Sequence, residues 1–457
     1  MKRTEHAYRV AVAPVRLGGR DYRAAHESCH KAAHLWNHAV SALHGAWERS
    51  EADPTTKQMR HLVAAAAPEL LELHAHTRQA ITDDLLDAVK TYRANKGEGR
   101  KAKAPWREKQ YRPLSFTAGY GWRIADGRLN LSLGRGRTSI RVPVPVVTSS
   151  AGEGVAPDLW GEIRLCWDRD ARQWTLHIAY RTAALRVLNP ANRLAVDEGI
   201  INPMTVAVET SGAYEVTVIN GRSARAVKDR RNTAVAALRT KMSRCVKGSR
   251  QWRRYNTALK RANACAQSSL RNIDHQVSRK VANLALAHDA GTIVVGDVRG
   301  IEKSTKQADK RRFGRHQRRR LAQWSRGRQE RYLAEKTGVG LTHLDEAYSS
   351  KTCPACLTRN RPTGRHYLCH ECGLACHRDA VGAINILMRS IYGAYTRIDP
   401  DKPVRVTYLR ATPLRVAPST ALNRAATTTG GRVAELRGSH AAVTGLRVPT
   451  VQPHAAA

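Results

Sequence analysis

Two cysteine pairs stand out from the rest of the chain. Cys353 and Cys356 in "CPAC" and Cys369 and Cys372 in "CHEC" are separated by twelve residues. Thiolates at that spacing suit a tetrahedral four-sulfur zinc site. With four protein ligands no coordination position stays open, so Zn2+ there is structural and folds a lobe too small to bury a core unaided. Cys376 is a surplus thiol and His366, His370 and His377 are alternative donors, but four cysteines at matched spacing prevail. Clustered thiols suggest metal rather than disulfides; Cys29, Cys166, Cys245 and Cys265 are scattered.

Two acids are placed where a carboxylate needs a reason. Asp197 lies mid-strand in "LAVDEG", where a charge is costly unless it opens to a cleft or binds a cation. Asp379 follows the second cysteine pair and opens the helical stretch "DAVGAINILMRSIYG", where an N-cap is the ordinary role and the acid at Asp197 lifts it above that. Two such acids suggest Mg2+.

The elements around these residues can be read from pattern. Residues 7–16 alternate like a strand, helical stretches follow over 22–45 and 56–95, and "RLNLSLGRGRTSIRVPVPV" and "EIRLCWDRDARQWTLHIAYRT" read as hairpins. This first region resembles a β-barrel interrupted by a helical insertion. From Arg193, "RLAVDEG", "MTVAVET" and "YEVTVING" form an antiparallel meander. A basic helical hairpin then runs over 223–290 with its turn at Gly248, and "GTIVVGDVRG" is a buried strand. Residues 303–331 are dense in Lys and Arg interleaved with Phe313, Trp324 and Tyr332, a pattern that favours phosphate contact with base stacking. Residues 396–457 lose apolar periodicity and read as a basic, disordered tail.

At 457 residues the chain has room for two or three domains. Its 77 Lys and Arg against 38 Asp and Glu leave a formal charge of +39, which points to a nucleic-acid partner. No stretch of about 18 apolar residues occurs, so the chain reads as soluble and cytoplasmic.

An acid in a first strand, two further strands, a basic helical insert, a buried fourth strand, a C-x-x-C pair and then D-x-x-[GA]-A-x-N-I together resemble the RuvC nuclease domain of TnpB proteins and compact type V CRISPR effectors. The resemblance is most specific from Leu194 to Leu387, in "AYSSKTCPAC", "CHECG" and "DAVGAINI"; the first 190 residues match in layout only. It implies a multi-domain α/β chain: a β-barrel (1–21 and 99–190) with a helical recognition insertion (22–98), an RNase H-like RuvC domain (191–346 and 377–395), an inserted zinc ribbon (347–376) and the tail. It further implies three acids around Mg2+, with Asp197 first and Asp379 third. The second should be a Glu at the end of the fourth strand, but Gly296 stands there, with Asp297 one residue later. Strand alternation would send Asp297 to the wrong face unless Gly296 bends the chain, and Asp297 is assigned on that expectation, with Glu346 and Asp345 as weaker substitutes. The implied function is an RNA-guided DNA endonuclease that carries a guide RNA and cleaves double-stranded DNA beside a short motif. The alternative is an RNA-guided binder that does not cut, its signature being the missing Glu. A strand-joining transposase receives little support, because no His-rich tyrosine nucleophile site is present.

Overall fold

The computed structural model describes residues 6–65, 68–105, 108–149, 154–300, 306–307, 310–311, 314–411 and 444–446. The chain divides into two compact units, Met1–Ala184 and Leu185–Ala457.

The first unit contains β1 (His6–Val15), α1 (Gly19–Glu48), α2 (Thr56–Ala64), α3 (Pro68–Leu71), α4 (Ala75–Gly97), β2 (Leu114–Phe116), β3 (Trp122–Ala125), β4 (Arg128–Leu131), β5 (Ile140–Pro143), β6 (Trp160–Asp168) and β7 (Gln173–Ala183). Both expected hairpins are present, β4–β5 and β6–β7. The strands expected to form a barrel pair as two sheets, β1-β7-β6-β2 and β3-β4-β5, linked where the Trp122 indole donates to the Gly161 carbonyl at 2.8 Å. Phe116, Leu129, Ile163 and Leu165 from the sheets share one core with Leu35 and Leu43 of α1 and Leu85 of α4. The expected continuous helix over 56–95 is broken into three, α2 starting at a capping box of Thr55 and Gln58.

The second unit begins with the meander β8 (Asn189–Glu198), β9 (Met204–Glu209) and β10 (Tyr214–Asn220). A helical hairpin follows, α5 (Arg222–Ser243) and α6 (Arg250–Ala287), turning at Gly248 with φ of +87°. The remaining elements are β11 (Ala290–Asp297), the two-residue strands β12 (Lys306–Gln307) and β13 (Lys310–Arg311), α7 (Arg315–Ala322), α8 (Arg326–Thr337), β14 (Leu341–Asp345), the hairpin β15 (His366–Leu368) and β16 (Ala375–His377), α9 (Arg378–Tyr392), β17 (Val404–Arg410) and β18 (Thr444–Leu446). The main sheet runs β14-β11-β8-β9-β10-β17-β18, with β11 parallel to β8 and β14 parallel to β11. Three antiparallel strands with two parallel ones added beside the first make an RNase H-like sheet.

Alternation along the strands divides the sheet between two cores. Ala195, Ala207, Val216 and Val294 face α9 through Ile384 and Leu387. Leu194, Val196, Val206 and Val295 face α6 and α8 through Ile273, Val277 and Leu333. The burial of α6 begins only at Ala266, and Val227 is the one buried residue of α5 among those described. The far end of this hairpin therefore carries its bases, including Arg239, Lys241, Arg244, Arg253 and Arg254, into solvent.

The tail departs from expectation. Val404–Arg410 form β17, parallel to β10, because Val404 and Val406 have an apolar face to complete beneath α9; residues 412–443 and 447–457 lie outside the described residues. Val406→Asp should cost at least about 3 kcal/mol, since it buries an unpaired carboxylate. Chemical denaturation of the two proteins measures it, and an unchanged midpoint would return this segment to the role of a loose tail.

Candidate acidic cleft and metal centre

The four cysteines meet. Their ligand atoms all lie within 4.8 Å of one another, with Cys353 to Cys372 at 3.6 Å and Cys356 to Cys369 at 3.5 Å between sulfurs. A tetrahedron of about 2.3 Å Zn–S bonds has edges of about 3.8 Å, so the cage fits Zn2+. Each pair is followed by a residue at positive φ, Leu357 at +68° and Gly373 at +74°, which closes the loop around the sulfurs. Cys376 stays outside the cage; it is buried beneath the ribbon, and burial pushes its thiol up to about 12. Tyr367 and Asn360 fill the lobe, the amide donating to the Tyr367 hydroxyl at 2.9 Å.

The acids come from three elements. Asp197 projects from β8 on the α9 side, packed against the backbone of Gly382. Asp379 occupies the first turn of α9, where the helix dipole favours negative charge. It is not the N-cap; His377 is, its Nδ1 accepting from the Asp379 N–H at 3.2 Å. Asn202 donates to Asp379 at 2.8 Å, and the Arg365 guanidinium donates to both its oxygens at 2.6 and 2.7 Å.

The expected second acid is elsewhere. Asp297 continues the α8 face of β11 as alternation requires, and its carboxylate is held by Arg299, whose Nε lies at 2.8 Å. This pairing holds it well below the usual carboxylate range, and it does not line the cleft. Gly296 did not bend the strand. Instead Glu346, one residue beyond β14, reaches across: a Cβ built on Gly296 would fall closer than 3.0 Å to the Glu346 carboxylate and to Ile386. The absent side chain at 296 is the space that Glu346 fills.

Asp197, Glu346 and Asp379 thus line one cleft of about 290 Å³, together with Glu198, Ser349, Arg365 and Arg378, and with Arg320 and Trp324 from the basic segment. Burial first, then Asp379 and Glu346, push Asp197 well above the usual carboxylate range. Burial, then Asp297 and Asp345, push Glu346 up to about 7. Glu346 Oε2 is buried without a hydrogen-bond partner. Crowded, desolvated and partly unpartnered carboxylates are the donor set of a hard divalent cation, so these residues fit Mg2+. Among the described residues the thiols are the one group whose ligand atoms all converge within 4.8 Å; the three carboxylates do not meet that closely.

Of the aromatics in the basic segment, Trp324 lines the cleft, Tyr332 is buried with its ring stacked on His275 at 3.8 Å, and Phe313 lies outside the described residues. Tyr332 is therefore a core residue and not a stacking platform. Asn202 and Arg365 went unnoticed in the sequence, where nothing distinguishes them from their neighbours.

Two family models match the chain. Residues 177–302 match one described as a probable transposase, of the OrfB type, and residues 327–386 match a Cas12f1-like TNB domain. Among solved structures, a Cas12f1–sgRNA–target DNA complex is similar at 12% identity over 80% of this chain and 82% of that one, with a TM-score of 0.46. CasPhi-2 (Cas12j) bound to crRNA and phosphorothioate-DNA follows at 11% identity, 86% and 93% coverage and a TM-score of 0.34. No curated protein matches in sequence.

Two measurements probe the site. Cys372→Ser should release the zinc, read by metal analysis, and open the ribbon to protease around Tyr367; retained protection would remove the metal's structural role. Glu198, on the opposite face of β8 from Asp197, is pushed up to about 9 by burial and then by Glu330. A raised carboxylate stabilises the fold below its unfolded value of 4.5 and loses that contribution as pH rises toward 9. The melting temperature of wild type relative to Glu198→Gln should therefore fall between pH 5 and 9; a constant difference would mean that Glu198 titrates normally.

Proposed function

We propose that this chain, which belongs to the family of TnpB proteins and compact type V effectors, is an RNA-guided DNA endonuclease whose cutting site is the cleft of Asp197, Glu346 and Asp379. The observation that carries the reading is the carboxylate of Glu346 in the space left by Gly296, which completes a three-acid set on an RNase H-like sheet. The non-cutting alternative rested on the missing second acid, and Glu346 supplies one. Guide RNA and target DNA as partners follow from the family and accord with the +39 charge.

Asp197, Glu346 and Asp379 would hold Mg2+. When bound, it would supply a nucleophilic hydroxide and neutralise charge on the phosphate. Asn202 and Arg365 orient Asp379, fixing which of its lone pairs face the cleft. Arg365, Arg378 and Arg320 line the cleft beside its carboxylates, so their positive charge would draw a phosphodiester toward the acids. Ser349 and Ser350, at the base of the ribbon, line the same wall.

The RNA that copurifies with the protein, mixed with matching duplex DNA and Mg2+, should give both a gel shift and cuts. Asp197→Ala should abolish cutting and keep the shift, whereas cuts that persist in Asp197→Ala would sink the assignment. The position of the second acid has its own test. Glu346→Ala should lower the cleavage rate by at least about a hundredfold, and adding Gly296→Glu should restore part of it by returning a carboxylate to the same space. Failure of the single variant to lose activity would exclude Glu346.

A further inference from the structure

We propose that β17 forms the wall of a track for a single strand of nucleic acid that leads out of the acidic cleft, with Arg222 and Arg410 on its phosphates and Tyr408 stacking a base. This rests on the nuclease reading above and adds to it a binding site on the C-terminal strand.

A second cavity, of about 350 Å³, adjoins the acidic one and shares Ile201 and Arg365 with it. Its walls include Asn202, Arg222, Arg365, His377, Tyr408 and Arg410, and neither Asp nor Glu lines it. With Arg365 held by Asp379, the cavity keeps two unpaired guanidinium groups and no carboxylate in its walls, which suits an anion, and its continuity with the acidic cleft suits a polymeric one.

The strand register explains how these residues meet. On β17, Val404 and Val406 lie under α9; the same alternation carries Tyr408 and Arg410 past the helix N-terminus, beside His377. Tyr408 pairs with Val218 and Arg410 with Asn220, so Arg222 lies two residues beyond the β10 partner of Arg410. Tyr408 is 47% exposed and meets His377 edge-on, with ring centroids 6.0 Å apart at 75°, which leaves an aromatic face open. Among the described residues, neither Arg222 nor Arg410 has a carboxylate within salt-bridge distance. Two unpaired guanidinium groups flanking an open aromatic ring repeat the means by which proteins hold single strands: phosphates on bases and nucleobases on rings. Arg405, on the opposite face of the same strand, is exposed and supplies a matched control.

The test uses the full chain with its copurified RNA, matching duplex DNA and Mg2+. Arg222→Ala/Arg410→Ala should raise KM for cleavage about tenfold with kcat nearly unchanged, and should lower the salt dependence of binding by about 0.7 per lost phosphate contact. Tyr408→Ala should weaken binding about tenfold. Arg405→Ala should do neither, and Arg410→Lys should recover most of the phosphate contribution. If the double variant behaves like Arg405→Ala while wild type cuts, the track is wrong and the nuclease reading stands. If wild type does not cut, the nuclease reading fails, and a 5-iododeoxyuridine oligonucleotide then decides the track alone: photocrosslinking to Tyr408 supports it, and no adduct on the 404–411 peptide overturns it.

Discussion

Mutual repulsion among carboxylates is the constraint around which the second unit is built. Asp197, Glu346 and Asp379 share one partly desolvated cleft, a placement that no folded chain tolerates without compensation. The compensation comes from different sources for each acid. Asp379 has a helix N-terminus, an amide from Asn202 and one guanidinium nitrogen of Arg365 shared between its two oxygens. Asp197 and Glu346 have little beyond burial, which pushes both upward from the usual carboxylate range. The groups least able to carry charge alone are those that a bound cation would relieve.

The zinc ribbon belongs to the same balance. Its hairpin, β15 and β16, pairs Tyr367 with Cys376, and the Arg378 N–H donates to the Arg365 carbonyl at 2.8 Å. This backbone connection sets Arg365 beside the first turn of α9, where its side chain meets Asp379. A ribbon loop without its thiolate anchor has too small a core to hold that geometry. The thiolate cage is thus connected to the acidic cleft through one hairpin and one guanidinium, which gives a physical reason for a ribbon to interrupt the fold just before its last acid.

Charge is segregated to match. Bases cover the outer half of the α5–α6 hairpin and line the cleft beside its carboxylates. A polyanion approaching such a surface is attracted at long range and meets acids only where cations can mediate the contact.

Local pattern carried much of the architecture. Short apolar strands between turn signals predicted the meander, a β-branched run bounded by glycines predicted β11, the glycine at 248 predicted the hairpin turn, and the paired C-x-x-C motifs predicted the metal cage, because each depends on neighbours a few residues apart or on a ligand chemistry with few solutions. Alternation also contained the warning about Asp297, whose side chain obeyed it. What sequence alone left open was non-local: that Glu346, some fifty residues later, would occupy the volume missing at Gly296; that Tyr332 would stack on His275 inside the core; and that Val404–Arg410 would find an edge on β10. Which acid completes the site and whether the tail pairs are decided by the spacing between adjacent strands and by which apolar faces remain uncovered, quantities that exist only once the sheet has formed.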